Sequence, residues 1–173
     1  MTEQEKNLFV RPVSWSDELF LFSLWNDNLT RKMMRSKNAV SLSEHKLWFS
    51  ERMEKGDSPT FIVFQGSDNN DSNKIGVVRF IDQGESRYDV GIIVNPLYRN
   101  KGLGANVLKM AIREMKKEFP DCILFAMYKK INIAVRNVFK KNNFEECDPC
   151  YDCEKVRGFD SDNELFCLEM GTH

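Results

Sequence analysis

The segment from residue 88 to residue 120 constrains the fold most. It opens on "YDVGIIV", a nearly continuous apolar run of the kind that lies in the middle of a sheet. "NPLYRNKGLGA" follows, with Gly102 and Gly104 flanking one leucine. Val107, Leu108, Ala111, Ile112, Met115 and Phe119 then recur at helical spacing until Pro120 stops the helix. A buried strand, a glycine turn and an amphipathic helix in succession predict an α/β architecture.

The flanking patterns extend it. "LFVRPV" (8–13) reads as a first strand and "SDELFLFSLWND" (16–27) as a helix. "SLSEHKLWFSERMEKG" (41–56) reads as a second helix, with Ser41 and Glu44 in capping-box spacing and Leu47, Trp48 and Met53 as its buried face. "TFIVFQ" and "KIGVVRFID" are strands on either side of the polar loop 66–73. Downstream come a buried strand, "CILFAMY" (122–128), and a short helix in "NIAVRNVFKKNNF" with Ile133, Val135, Val138 and Phe139 inward. A strand from Phe144 and a last one, "ELFCLEM" (164–170), complete the order. No repeat or linker divides residues 1–173, which are expected to form one domain with a mixed sheet of about six or seven strands and about four helices.

Composition excludes several classes. With 42% hydrophobic residues, 29% charged residues and a net charge of −1, the chain fits a globular protein and not a broad nucleic-acid or anionic-membrane binder. No run approaches the roughly 18 apolar residues of a membrane span, and "MTEQEKNLFVRP" lacks the apolar core of an export signal, so a cytoplasmic protein is expected. The cysteines, Cys122, Cys147, Cys150, Cys153 and Cys167, are odd in number, which favours reduced thiols. "CDPCYDC" could offer three thiolates, but His45 and His173 have no evident partnership with it, and no metal site is expected.

Glycines between a strand and a helix let backbone N–H groups converge on an anion, and the helix N-terminus adds orphan donors and positive partial charge. A Walker loop would need a lysine and a hydroxyl after Gly104, and neither is there. A dinucleotide fingerprint would need a third glycine where Val107 stands. A diphosphate beside Arg99 and Lys101 and a plain packing turn both remain open on the loop alone.

"RNKGLGA" (99–105) resembles the [R/Q]-x-x-G-x-[G/A] loop of the GNAT superfamily of acetyl-CoA-dependent N-acetyltransferases. About 30 residues on, "NIAVRNVFKKNNF" is similar to the family segment N-x-x-S-x-x-x-Y-x-K-x-G-F through Asn132, Lys141 and Phe144, and "LFVRPV" resembles the family's first strand. The likeness implies a single-domain GNAT fold whose splayed middle strands hold CoA. It assigns the pyrophosphate to Arg99, Asn100, Lys101, Gly102, Leu103, Gly104 and Ala105, and the pantetheine arm to the backbone of Ile92, Ile93 and Val94. Asn132 would meet the arm near its thiol end, with a helix N-cap for residues 133–142 as its alternative role.

The implied chemistry is direct attack of an amine on the acetyl thioester, which needs a proton acceptor. Asp89, on the strand leading into the loop, is the first candidate, with a structural pair to Arg79 or Arg87 as its alternative. The family's usual acid, a tyrosine, is replaced by Phe139, and Val135 stands at the Ser position. Tyr128 or water must then protonate the leaving thiolate.

The acceptor is expected to be a small-molecule amine. "LWNDNLTRKMMRSKNAVSLSEHKLWF" (24–49) is similar to the W-R-N-D…R…S…I-S-x-E-E-H-x-x-W-F segment of GNAT enzymes acting on nucleotide-linked amino sugars, such as those of pseudaminic acid biosynthesis. Asn26, Asp27, Arg31, Ser41, Glu44, His45, Trp48 and Phe49 fit; Leu24 and Trp25 replace the W-R pair. Asn26, Arg31, Arg35, His45 and Trp48 would then touch the sugar nucleotide, unless His45 and Trp48 merely pack helix on helix. Polyamines, ribosomal-protein N-termini and a non-catalytic acyl-CoA-binding role are the alternatives, and a homodimer stays open.

Overall fold

The computed structural model describes residues 7–34, 38–66, 71–147 and 165–170. Strands β1 (Leu8–Pro12), β2 (Thr60–Gln65), β3 (Lys74–Asp82), β4 (Arg87–Val94), β5 (Ile123–Lys129), β6 (Phe144–Cys147) and β7 (Leu165–Met170) form one sheet in the order β1-β2-β3-β4-β5-β7-β6. Helices α1 (Glu18–Asn26), α2 (Asn28–Met33) and α3 (Leu42–Lys55) precede β2; α4 (Gly104–Glu118) and α5 (Ile133–Lys140) flank β5. The expected mixed sheet is present, with one helix more than anticipated: α2 is too short to show a period. Neighbouring strands are antiparallel except β4 and β5, which pair in parallel only from Arg87–Ile123 to Asp89–Phe125.

Two cores follow from the strand alternation. Phe61, Val63, Val78, Phe80, Tyr88 and Val90 join Val107, Leu108, Ala111, Ile112 and Met115 of α4 on one face. Ile62, Phe64 and Val77 join Phe20, Leu21, Leu24 and Phe49 on the other. The register of β2 against β3 shifts between Val63 and Phe64, where Phe64 faces Lys74 and Ile75 is passed over. That extra residue changes the phase of β3. Ile75 thereby joins the α4 core, and Lys74 turns to the opposite face.

There the buried Lys74 meets the buried Asp17, Nζ to Oδ1 at 2.7 Å. Arg11 grips the same carboxylate through Nη1 and Nη2 at 2.7 and 2.8 Å, and the Ser14 N–H donates to Oδ2 at 2.8 Å. Burial alone would push the Asp17 carboxyl up, but these donors hold it well below the usual carboxylate range.

Two inward faces differ from the sequence expectation. Leu47 is 64% exposed, while α3 buries His45 and Phe49. Ile133 is 53% exposed, and α5 buries Phe139, with Val135 and Val138 packed against the core. On α3 Trp48 and Met53 do pack against the core and only Leu47 turns out, while Ile133 is exposed because it sits in the first turn of α5. Cys150, Cys153 and His173 lie outside the described residues, among which no group of metal-ligating side chains occurs. No described helix is long and apolar enough to cross a membrane.

Replacing Asp17 by Asn should strand Lys74 in the interior and cost about 3–5 kcal/mol, read as a lowered urea midpoint. Because the folded pKa is depressed, the wild-type advantage should be complete above about pH 4 and shrink as pH falls further. Equal stabilities of the two proteins at neutral pH would refute this.

Candidate functional site

Past Asp89, β4 keeps its partner β3 but loses β5, which continues against β7. The strand edge at Ile92, Ile93 and Val94 therefore faces a gap, and a cavity of about 490 Å³ occupies it. Beside the gap the chain leaves β4 through a short turn at Pro96–Tyr98. Asn95 locks this turn, donating from Nδ2 to the Lys74 carbonyl at 2.7 Å and accepting from the Leu97 N–H at 3.1 Å. The turn delivers the backbone into the glycine loop. Asn100 has φ +60° and Gly102 φ +74°, the left-handed region where an L side chain is strained. Gly104 is needed for a different reason: a Cβ there would lie 2.9 Å from Val138 Cγ2 of α5. The first turn of α4 thus begins pressed against α5, and Asn142 secures the contact by donating to the Ala105 carbonyl at 3.1 Å. Helix α4 has no side-chain cap at its N-terminus, so its first N–H groups are available to a ligand.

The cavity brings together most of the expected donor-site residues. Ile92, Ile93, Val94, Arg99, Asn100, Gly102, Leu103, Gly104, Ala105 and Asn132 line it; Lys101 does not, its Nζ lying 5.1 Å from the Tyr98 ring centroid. Asn132 caps α5, its Oδ1 accepting from the Val135 N–H at 3.2 Å. Asp89 and Tyr128 line the same space, both buried. Phe139 packs edge-on to Phe144 at 4.9 Å, and no hydroxyl stands at that position. Asn143, where the family segment has glycine, adopts φ +63°, a conformation Asn tolerates well.

The guanidinium of Arg99 is directed sideways across the cavity mouth. Nη1 meets Asp27 Oδ2 at 2.7 Å, Nη2 donates to Thr30 Oγ1 at 2.7 Å and Nε donates to the Val94 carbonyl at 3.1 Å. Asp27 also caps α2 by accepting from the Thr30 N–H at 2.9 Å. Burial opposes its charge, but Thr30 and Arg99 outweigh that and hold the carboxyl below its ordinary value.

The residues expected on the acceptor side separate. Asn26 ties down the chain entering α3, exchanging two hydrogen bonds with the Val40 backbone at 3.0 and 3.1 Å. His45 is 2% exposed, packed among Phe22, Trp25, Trp48 and Phe49, with Nε2 at 3.1 Å from the Glu18 carbonyl. Trp48 belongs to the same cluster, and neither it, His45, Asn26 nor Arg31 lines the cavity. Arg35 lies outside the described residues. Trp25, Leu29, Thr30, Met33, Met34, Arg79 and Ile81 line the cavity instead. Arg79 sits 5.3 and 5.6 Å from the Trp25 and Trp48 rings. It could have been found, since it interrupts "VVRFI" as Asp89 interrupts "YDVGI", and the register places both on one face of the sheet.

The model of the GNAT acetyltransferase domain matches residues 7–145. The chain belongs to this family. The GNAT fold is shared with solved structures at low identity. The spermidine N-acetyltransferase of Vibrio cholerae, crystallised with CoA and spermine, has a TM-score of 0.76 and 15% identity over 95% of this chain and 94% of that one. A domain from Methanocaldococcus jannaschii has a TM-score of 0.74 and 17% identity, over 95% and 98% of the chains. The ribosomal-protein-alanine N-acetyltransferase of Brucella melitensis has a TM-score of 0.68 and 18% identity, over 93% and 96%. No relative was found among curated protein sequences. Acetyl-CoA is the acetyl donor of GNAT acetyltransferases, and the open strand edge, uncapped α4 amides and glycine loop of this one suit an extended chain ending in a diphosphate.

Burial pushes the His45 pKa down, partly offset by the Glu18 carbonyl. Its contribution to stability should be complete above about pH 6.5 and decline as pH falls from there towards the folded value. A His45→Phe variant should show a flatter urea midpoint between pH 7.5 and 5.5 than the wild type; parallel profiles would refute the assignment.

Proposed function

We propose that this GNAT enzyme transfers the acetyl group of acetyl-CoA to a primary amine by direct attack, with Asp89 as proton acceptor. The supporting observation is that a buried carboxylate and the glycine loop share one cavity. The donor's diphosphate rests on the backbone of residues 99–105 and its arm on the free edge of Ile92–Val94, passing Asn132. The neutral amine adds to the thioester carbonyl and its proton goes to Asp89. The N–C bond forms, the C–S bond breaks, and the departing thiolate takes a proton from Tyr128, whose residue lines the same space.

The acceptor we infer carries a single reacting ammonium on a largely apolar body, the chemistry of a peptide α-amine. Among the described residues Asp89 is the one carboxylate in the lining, and Trp25, Leu29, Met33, Met34 and Ile81 supply much of the acceptor wall. A polyamine calls for several carboxylates; the likeness to a spermidine enzyme keeps it as the second reading. The nucleotide-linked amino sugar loses its support in residues 24–49, since Asn26, His45 and Trp48 have packing or loop-holding work away from the cavity.

Thiol release from acetyl-CoA, measured with an alanine-terminated peptide, spermidine and a UDP-amino sugar, tests the order of preference. The peptide should turn over fastest, and Asp89→Asn should lower kcat/KM about 10²–10⁴-fold, with partial recovery above pH 8 where the α-amine is already neutral. An unchanged rate across pH would remove Asp89 from the chemistry. CoA binding without turnover of any amine would favour a non-catalytic acyl-CoA binder.

A further inference from the structure

Helix α2 lies along the cavity mouth, contributing Leu29, Thr30 and Met33 to its lining. Its six residues bury little, and of them only Thr30 is buried. What fixes it comes from the two arms of the sheet that diverge below it. From the glycine loop, Arg99 reaches Asp27 and Thr30 at its N-terminal end, both at 2.7 Å. From the end of β5, Lys129 Nζ donates to the Lys32 carbonyl in its last turn at 3.1 Å. The acceptor wall is therefore held by the same loop that receives the donor's diphosphate.

From this geometry we infer that Asp27 and Thr30 are positioning residues, acting through Arg99, that make the placement of α2 depend on the donor. Arg99 lines the cavity with its side chain 19% exposed, and its guanidinium has N–H groups beyond those given to Asp27, Thr30 and Val94. A diphosphate on the loop engages those remaining donors and fixes the fork that carries α2. Donor binding thereby orders the acceptor wall, and by linkage an acceptor on that wall tightens the donor. The inference rests on the donor-site assignment above but not on the identity of the acceptor.

Hydrogen exchange of the full chain with and without CoA tests it without turnover. In the wild type, CoA should slow exchange at least about 10-fold both at residues 102–107 and at residues 28–33, while local opening governs the rate. Asp27→Asn should keep the CoA protection at 102–107 and lose it at 28–33, and Asp27→Glu should restore part of it. Thr30→Val, which removes the hydroxyl that accepts from Arg99 and donates to Asp27 Oδ2 at 3.0 Å but leaves the Asp27–Arg99 pair, should give the same separation in a milder form and serves if Asp27→Asn does not fold. Protection confined to the loop in the wild type would overturn the inference and leave the proposed activity standing. So would full α2 protection in both Asp27→Asn and Thr30→Val. Absence of CoA binding to the wild type would overturn the donor-site reading itself, and the coupling with it.

Discussion

The parting of β4 from β5 after the Asp89–Phe125 pair is the constraint on which the rest depends. Buried backbone N–H and C=O groups are rarely left unpaired, so an interior strand edge without a neighbouring strand is a standing demand for hydrogen-bond partners. Beyond Phe125, β5 no longer pairs with β4 but continues along its other edge against β7 to Lys129. Helix α5 then packs at the opening, with Val138 against Gly104 and Asn142 bonded to the Ala105 carbonyl. An extended ligand with amide groups meets that demand where a side chain could not. The glycine loop follows directly because β4, the turn and α4 are continuous in sequence.

Strand alternation sorts the work between the two faces. Tyr88, Val90 and Ile92 of β4 point into the α4 core, which makes the strand a rigid platform. Ile93 packs with the cluster under α1 and α3, and Asp89, two register positions back on that face, stands towards the acceptor wall. The aromatic cluster of Trp25, His45, Trp48 and Phe49 is support for that wall. A neutral histidine suits it, because burial among the rings disfavours the charged form more than the Glu18 carbonyl favours it.

The elements legible in the sequence were those whose burial leaves a pattern. Strands apolar on both faces and the long α4 stripe could be read directly, and so could the Ser41–Glu44 box. The short α2 was not: "NLTRKM" has no period to detect, and its order comes from contacts 69 residues away in sequence. The glycine loop was legible because one local motif carries it. The acceptor wall was not, since it is assembled from α1, α2, β3 and β4, and its motif-bearing side chains turned out to fill structural positions. Arg99 shows the limit most clearly. Its position was correctly placed in the loop, but a local reading could not foresee that its charge is shared with Asp27.

Two ion-pair systems fasten the N-terminal helices to the sheet, and their burial suits them to different tasks. Asp17 and Lys74 have side chains 0% and 3% exposed, and Arg11 adds a second cation to the same carboxylate. Separating such a pair leaves a bare charge in the interior, so it can hold α1 but cannot exchange partners. Asp27 and Arg99, at 22% and 19%, are wet enough that the donors Arg99 has left over stay open to an anion while the pair is kept. The fixed pair stands at the phase-shifted end of β3, outside the cavity lining, and the partly exposed one at the cavity itself, through Arg99. A pair of intermediate burial is the kind of contact that can be shared between protein and ligand without unfolding the element it holds.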